Sequence, residues 1–303
     1  MKAERNDRGE TSLTAGNGAG LSRRTLLAAA AAAGLAPLVA MRSGRAQSAG
    51  VLKALNINHC DLLVTDLAAS NTFFQRVFGT GPLRTVLPNG AGAYSGDFGA
   101  GAMVTFQVRP KGGTSAHFDI GIPGFQPRRD GKALKDAGFD VRSERDEYVS
   151  MLDPDGIPVQ IGDPHYTGVC DYCDRPSVPN YVGQVPLLQA RAIKYINLKV
   201  TDLAKSAAFY RKAFSLPAER TLKGRPGKSV AVDIGSSFLL FDQDPGATVR
   251  INHFCLSVDR LRPKDDAARL KAAGIAVEQN GDILMITGPD NAKIAVADSG
   301  WMG

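Results

Sequence analysis

"INHCDLLVTDL" occupies residues 57–67, and "KYINLKVTDL" occupies residues 194–203 of the same chain. Both segments end in Val-Thr-Asp-Leu, and each leads into a stretch with apolar residues at helical spacing, which predicts a strand followed by a helix. Their first halves differ, because Tyr195 stands in the second copy where His59 stands in the first. The chain therefore contains an internal repeat, and His59 distinguishes one copy from the other.

A second pair of similar segments follows the first. "AHFDIGIPGFQPRRDGKALKDAGFDV" at 116–141 matches "NHFCLSVDRLRPKDDAARLKAAGIAV" at 252–277. Each predicts a strand, a loop with proline, a helix that ends in Ala-Gly, and another strand. Two further strands follow, around the turns D-P-D-G at 153–156 and G-P-D-N at 288–291. The chain thus holds four units of strand, helix and further strands, which predicts an α+β fold.

The first 46 residues have the pattern of an export signal. Arg23 and Arg24 precede a run of leucine and alanine that is short for a membrane helix, and Gly44 and Ala46 supply small residues before a cleavage site. The S-R-R-T-L-L pattern resembles a twin-arginine signal. We therefore expect residues 1–46 to be removed and the mature protein to lie in the periplasm.

The charge of the chain belongs largely to this signal. The formal net charge is +6, and residues 1–46 hold seven basic and three acidic residues, a balance of +4. The remainder carries about +2, without a basic run interleaved with aromatic residues, which argues against nucleic-acid binding. We expect a small-molecule substrate as partner, no membrane association after signal removal, and a monomer or homodimer.

The motifs together resemble the vicinal oxygen chelate superfamily, which includes glyoxalase I, extradiol dioxygenases and the bleomycin- and fosfomycin-resistance proteins. The shared features are H-x-x-L-x-V-T-D-L before a helix, a second strand that opens with His, and D-P-D-G before the last strand. The resemblance covers residues 52–165 and 192–298, which a linker at 166–191 joins. It implies tandem βαβββ modules paired into two half-open barrels, each around a cleft that in many members holds a divalent metal.

The resemblance also implies a set of metal ligands. The usual set is a His on the first strand of one module, a His on the first strand of its partner and a Glu on the partner's last strand. His59 and His117 occupy the first two positions, while Gln160 stands where Glu is expected. Two His and one carboxylate suit Fe(II), and Mn, Ni or Zn are the other candidates. The neutral Gln160 is expected to weaken metal binding.

An aspartate follows each of these histidines at a distance of two residues. Residues two apart share one face of a strand, so Asp61 and Asp119 are expected to point into the same cleft. They can ligate a metal, orient a ligating His or act as general bases, and both can instead be structural. Gln107 is a candidate for a fourth ligand position, with Thr105 as the alternative.

The second copy lacks most of this pattern. Tyr195 replaces the first His, His253 keeps the second, and Ala295 occupies the third position. One ligand of three cannot hold a metal, so this half is expected to be metal-free. It either supports the first half or binds an organic group.

Two function classes follow. The first is an exported metalloenzyme that acts on a small substrate with vicinal oxygens, as a dioxygenase, lyase or isomerase. Tandem four-module chains resemble the extradiol dioxygenases most, although those keep their metal in the C-terminal half. The alternative is a metal-free protein of the same fold that binds or sequesters a small molecule.

The cysteines in the linker form the motif "CDYC" with Cys170 and Cys173. A second C-x-x-C is missing, so a zinc site is incomplete. In an exported protein a local disulfide is the simplest expectation. His165, at the start of this region, is expected to be exposed in a loop, and the alternative is that it reaches the cleft as an extra ligand.

Overall fold

Two sheets, one from each copy of the repeat, form the framework of the protein. The structure is a computed structural model that describes residues 50–87, 91–94, 98, 101–168, 185–222 and 228–303. Within these residues each copy forms an eight-stranded mixed sheet that does not close on itself.

The first sheet is built from two βαβββ modules in succession. In chain order its elements are β1 (Asn56–Val64), α1 (Leu67–Phe78), β2 (Thr85–Val86), β3 (Gly92–Tyr94), β4 (Met103–Val108), β5 (Ser115–Gly121), α2 (Pro127–Asp136), β6 (Asp140–Glu144), β7 (Tyr148–Leu152) and β8 (Pro158–Gly162). The strand order is β2-β3-β4-β1-β5-β8-β7-β6, so the first strands of the two modules lie side by side at the centre.

The second sheet repeats this plan. Its elements are β9 (Ala190–Val200), α3 (Leu203–Phe214), β10 (Arg220–Thr221), β11 (Ser229–Ile234), β12 (Ser237–Gln243), β13 (Ile251–Val258), α4 (Pro263–Ala272), β14 (Val277–Asn280), β15 (Ile283–Thr287) and β16 (Lys293–Asp298). The order β10-β11-β12-β9-β13-β16-β15-β14 is equivalent to that of the first sheet. The predicted α+β class and paired βαβββ modules are confirmed.

The Val-Thr-Asp-Leu motif begins a helix in both copies. Asp66 accepts a hydrogen bond from the backbone N–H of Ala69, and Asp202 accepts one from the N–H of Lys205. An aspartate at this position satisfies one of the free N–H groups of the first turn. Gly79 ends α1 in the left-handed conformation with φ of 67°, which glycine adopts without steric cost.

The same motif also joins the two copies. The carboxylate of Asp290, in the G-P-D-N turn, accepts from the backbone N–H of Thr65 at 2.8 Å and from its hydroxyl. The carboxylate of Asp155, in the D-P-D-G turn, accepts from the N–H of Thr201 at 3.0 Å. Each turn thus binds the helix start of the other copy. The relation is reciprocal, as in a pseudo-twofold arrangement.

A single hydrophobic cluster lies between the two copies and contains side chains from both sheets. Phe118 of β5 stacks on Tyr210 of α3 with ring centroids 6.3 Å apart, and Phe139 meets Phe209 edge-on. Alternate residues of the central strands point into this shared core, so the intervening residues point to the other side. We call that other side of each sheet its cleft face. Among the described residues no helix is long and apolar enough to cross a membrane.

Candidate metal centre

Cross-strand pairing brings the predicted residues side by side on the cleft face of the first sheet. His59 of β1 lies opposite Asp119 of β5, and Asp119 lies opposite Gln160 of β8. In the neighbouring row Asp61 lies opposite His117. Side chains of directly opposed residues project from the same side of a sheet. The five predicted residues therefore share one face.

The two histidines meet through their Nε2 atoms, which lie 3.2 Å apart. The rings are nearly perpendicular, with an interplanar angle of 85°. His59 is buried, whereas the side chain of His117 is 19% exposed. Burial, and then the proximity of His117, lower the pKa of His59 well below its usual value. His59 is therefore neutral at neutral pH and keeps a nitrogen lone pair.

Asn58 determines which nitrogen of His59 carries that lone pair. Three carbonyl oxygens surround the Nδ2 atom of Asn58, those of Gly101 at 2.8 Å, Pro164 at 3.2 Å and Tyr166 at 3.3 Å. Because only an NH₂ group can donate to carbonyls, the Asn58 Oδ1 atom must face His59 Nδ1, at 2.9 Å. Nδ1 then carries the proton, and the lone pair of His59 is on Nε2. That nitrogen points at His117.

Asp61 lies next to the second histidine. Its Oδ2 atom is 3.6 Å from His117 Nδ1 and makes no hydrogen bond with the described residues, while its Oδ1 atom accepts from the Thr105 hydroxyl at 2.6 Å. Asp61 is thus placed to orient the His117 ring. Gln107 instead accepts from Arg109 at the surface, at 2.7 Å. Of the two alternatives, Thr105 borders the site and Gln107 does not.

Asp119 is a buried carboxyl group without a strong partner. Neither of its oxygens has a hydrogen bond of standard length within the described residues. The pKa of Asp119 is raised to about 8, mainly by burial; a hydrogen bond from the Gln160 side chain opposes this rise, and the nearby Asp163 adds to it. At neutral pH this carboxyl is therefore largely protonated in the protein without metal. It is a proton donor in that state and becomes an anionic oxygen donor once the proton leaves.

The donor chemistry fits a divalent ion held by two imidazoles. Nitrogen ligands lie about 2.1 Å from such an ion, which places two of them roughly 3 Å apart when they bind at a right angle, close to the distance between the two Nε2 atoms. The described residues contain no cluster of three His, Cys, Asp or Glu side chains arranged for a metal. As the side chains stand, no carboxylate of the described residues completes a set of three with the two histidines, so Gln160 or Asp119, which lie on the same face, would have to turn toward the ion to supply a third donor. A metal would separate two imidazole nitrogens that otherwise need a proton between them.

Tyr166 forms one wall of the site and was not singled out by the sequence. Its ring centroid lies 6.1 Å from that of His59, and its hydroxyl lies 3.5 Å from the carboxylate of Glu147. Tyr166 therefore covers the buried histidine. His165, the preceding residue, is exposed, as the sequence predicts.

The equivalent place in the second sheet has a different pair. The Tyr195 hydroxyl lies 3.0 Å from His253 Nε2, which reproduces the contact between the two histidines with one of them replaced. Here the Asn252 Nδ2 atom lies 2.9 Å from His253 Nδ1. Since an amide NH₂ donates, His253 accepts at Nδ1 and carries its proton on Nε2. Ala295 lies opposite Cys255, as Gln160 lies opposite Asp119 in the first sheet.

Several sequence predictions fall elsewhere. The signal at residues 1–46 and the Cys170 and Cys173 pair lie outside the described residues. Cys60 and Cys255 are buried free thiols.

Comparison with known proteins supports the fold. No protein-family model matches the chain, and no curated protein sequence matches it significantly. Among solved structures, a catechol 2,3-dioxygenase is 18% identical, with a TM-score of 0.57 over 81% of this chain and 88% of that one. The fold is that of the extradiol dioxygenases.

Two further structures with this extradiol fold extend the comparison. The 2,3-dioxygenase LapB from Pseudomonas sp. KL28 is 10% identical, with a TM-score of 0.61 over 83% of this chain and 94% of that one. Homoprotocatechuate 2,3-dioxygenase from Brevibacterium fuscum, in an anaerobic complex with 3,4-dihydroxyphenylacetate, is 15% identical, with a TM-score of 0.58 over 82% of each chain. Both matches cover most of each chain, so the similarity of fold extends over both sheets of this protein.

Proposed function

We propose that this protein is a divalent-metal-dependent enzyme of the dioxygenase type, which acts on a small substrate with two neighbouring oxygen atoms. The observation that carries this proposal is the pair of Nε2 atoms 3.2 Å apart on the cleft face of the first sheet. The fold shared with the extradiol dioxygenases supports the reaction class. The centre lies in the N-terminal sheet, because the second sheet keeps only His253 of the three ligand positions.

The residues of this chain have different roles in such a centre. His59 and His117 would hold the ion, and Gln160 or Asp119 would supply an oxygen donor. A bound metal supplies Lewis-acid activation of the two substrate oxygens. Substrate reaches the site from the side of His117, since that side chain is partly exposed while His59 is buried.

Proton handling falls to the two aspartates. The Asp61 Oδ2 atom lies beside His117, makes no hydrogen bond with the described residues, and is placed to act as a general base toward the substrate. Asp119 is the deeper group, with its pKa raised by burial. If an ion binds beside it, Asp119 would lose this proton, and the resulting carboxylate would compensate part of the ion's charge.

We further propose that the protein works in the periplasm after export by the twin-arginine route. The paired Arg23 and Arg24 before a leucine- and alanine-rich run support this location. Such a route delivers folded protein, which suits a cofactor-containing enzyme.

The test compares equivalent residues of the two sheets. The purified chain without residues 1–46 is loaded anaerobically with Fe(II) or Mn(II), and bound metal is measured after desalting. We expect His59→Ala and His117→Ala to abolish bound metal, while Tyr195→Phe and His253→Ala leave it unchanged. Wild-type protein loaded with Fe(II) is then tested for ring cleavage of catechols in the presence of dioxygen.

Two results would contradict the proposal. Loss of metal in the second-sheet variants only would place the centre in the other copy. If the protein binds stoichiometric metal but cleaves no catechol, the proposed metal centre stands and the proposed dioxygenase reaction is rejected.

A further inference from the structure

The cleft face of the second sheet contains a cavity of about 240 Å³ that the proposed metal centre does not use. Its walls are mostly apolar, and its inner end is polar. The residues that matter here are Tyr195, Leu240, His253, Ile283, Met285 and Trp301. The cavity exceeds the roughly 150 Å³ that already admits benzene, and it falls below the ~300 Å³ at which drug-sized sites begin. Its size therefore fits one substituted ring.

The walls are apolar because the second copy has lost the polar side chains of the first. Leu240 stands where Thr105 stands in the first sheet, since these residues lie opposite Asn197 and Asp61 respectively. Cys255 and Ala295 likewise replace Asp119 and Gln160. These residues form a small hydrophobic cluster with Tyr195 and Phe238, separate from the shared core.

The inner end of the cavity offers a hydrogen bond without a free charge. His253 donates from Nε2 to the Tyr195 oxygen, 3.0 Å away, because its Nδ1 atom faces the Asn252 amide. The Tyr195 hydroxyl also hydrogen-bonds to the Cys255 side chain, and Tyr195 lines the cavity, where its oxygen can accept from a ligand alongside His253. A ligand hydroxyl can thus donate to Tyr195.

The surroundings of the cavity disfavour a charged ligand of either sign. Asp282 lines the cavity and carries a carboxylate. The buried Lys194 amine, which interacts electrostatically with Cys255 of the same cluster, contacts the carbonyls of Ser236 and Ser299. A ligand charge of either sign would lie in apolar surroundings between groups of opposite sign, and its desolvation would be costly.

We propose that the second sheet contains a metal-free binding site for an uncharged molecule with a single aromatic ring and one hydroxyl group. The ring packs between Leu240, Met285 and Trp301, and the hydroxyl bonds to Tyr195. This site is separate from the metal centre of the first sheet. The chain then carries two sites on one repeated framework, one polar and one apolar.

Trp301 is the sole tryptophan of the chain and lies in the cavity wall, so its fluorescence reports on occupancy. Four probes share one ring and differ in a single group: benzyl alcohol, toluene, benzylamine and benzoate. Each is titrated into metal-free full-length protein with selective excitation of the indole. We expect saturable quenching by benzyl alcohol, about five-fold weaker binding of toluene because it lacks the hydrogen bond, and at least about ten-fold weaker binding of the charged probes.

Variants locate the binding in the cavity. Tyr195→Phe should weaken benzyl alcohol about five-fold and leave toluene unchanged. Leu240→Glu should abolish binding of both. Thr105→Glu introduces the same acidic side chain at the equivalent place in the first sheet. It should leave the affinities for benzyl alcohol and toluene unchanged. Thermal unfolding monitored by circular dichroism shows whether each variant is folded.

Three outcomes would overturn the proposal. The first is that benzyl alcohol produces no saturable quenching. The second is that benzylamine or benzoate binds at least as tightly as benzyl alcohol. The third is that Tyr195→Phe weakens the binding of benzyl alcohol and toluene equally. Each is independent of metal binding, so none is confused with failure of the proposed dioxygenase activity.

Discussion

Replacing Asn58 tests whether the first sheet holds His59 in the tautomer that a metal requires. The Asn58 amide lies against three carbonyls and His59 Nδ1, and the residue is fully buried. The amide NH₂ group has two hydrogens, so the side chain makes about three hydrogen bonds at a time, two to carbonyls and one to His59. A hydrogen bond contributes about 1 kcal/mol to the free energy of unfolding, so Asn58→Ala should lower that free energy by about 3 kcal/mol. Loss of a group that orients a ligating histidine typically weakens metal binding ~10–100-fold. We expect a loss in that range for Mn(II).

Asn56 supplies a matched control. Its Nδ2 atom donates to the same Pro164 carbonyl, at 3.1 Å, from the same strand, yet none of its described contacts is to His59. Asn56→Ala should therefore lower the free energy of unfolding by about 1 kcal/mol and change Mn(II) affinity less than about two-fold, which is under ~0.5 kcal/mol. Urea unfolding and Mn(II) titration measure the two quantities separately. Nitrogen-15 chemical shifts of the His59 ring in metal-free protein report the tautomer directly.

The assignment of Asn58 to a positioning role is refuted if both variants lose metal affinity equally. It is also refuted if Asn58→Ala leaves His59 protonated at Nδ1 alone, as in the wild type. In either case Asn58 would only tether the loop that contains Pro164.

Three further outcomes are expected. Gln160→Glu should tighten Mn(II) binding at least about five-fold, because one added charge near a dication in a partly buried site is worth at least ~1 kcal/mol; unchanged affinity in a Mn(II) titration would show that Asp119 already supplies the charge. Burial raises the pKa of Asp153 from its ordinary value of 3.8, so the folded state binds this proton more tightly and the free energy of unfolding of the wild type falls as pH rises above about 4. Urea unfolding of Asp153→Asn at several pH values should lack the part of this fall that Asp153 causes. If the free energies of unfolding of the two proteins change with pH in parallel, the pKa shift is contradicted. Replacing Arg23 and Arg24 with Lys should retain the protein in the cytoplasm, and normal periplasmic recovery on fractionation would remove the proposed location.

The fold was predictable because its determinants are local and occur twice. The Asp66 and Asp202 caps, the stop at Gly79 and the two proline turns can each be read from a few neighbouring residues. Repetition of the same signals at one spacing made the paired modules evident. The reciprocal bonds from Asp155 and Asp290 were not predictable, because residues 46 to 225 positions apart form them.

The site was predictable only as a set of candidates. Alternation along two strands placed Asp61 and Asp119 on the face of the histidines, and the structure agrees. Asn58 escaped notice because it precedes His59 by one residue, and simple alternation would place it on the opposite face. A register shift between residues 57 and 59 accompanies its position beside the ring. The repeated I-N-H at 57–59 and 251–253 was the available signal.

The difference between His59 and Tyr195 follows from the division of each strand into two faces. In Val-Thr-Asp-Leu, the residues that agree between the copies cap a helix, receive the turn of the other copy or enter the shared core. Each of these roles requires a side chain of a particular shape and hydrogen-bonding capacity, so the same residue is needed in both copies. On the cleft face no such contact is required, so His59 and Tyr195 both fit the same backbone register, each meeting a histidine at about 3 Å. A duplicated sheet can therefore retain its stability in both copies while only one keeps the paired imidazoles. His59 is the residue on which that choice depends, because a phenol hydroxyl at the same place satisfies His253 but leaves no second imidazole for a metal.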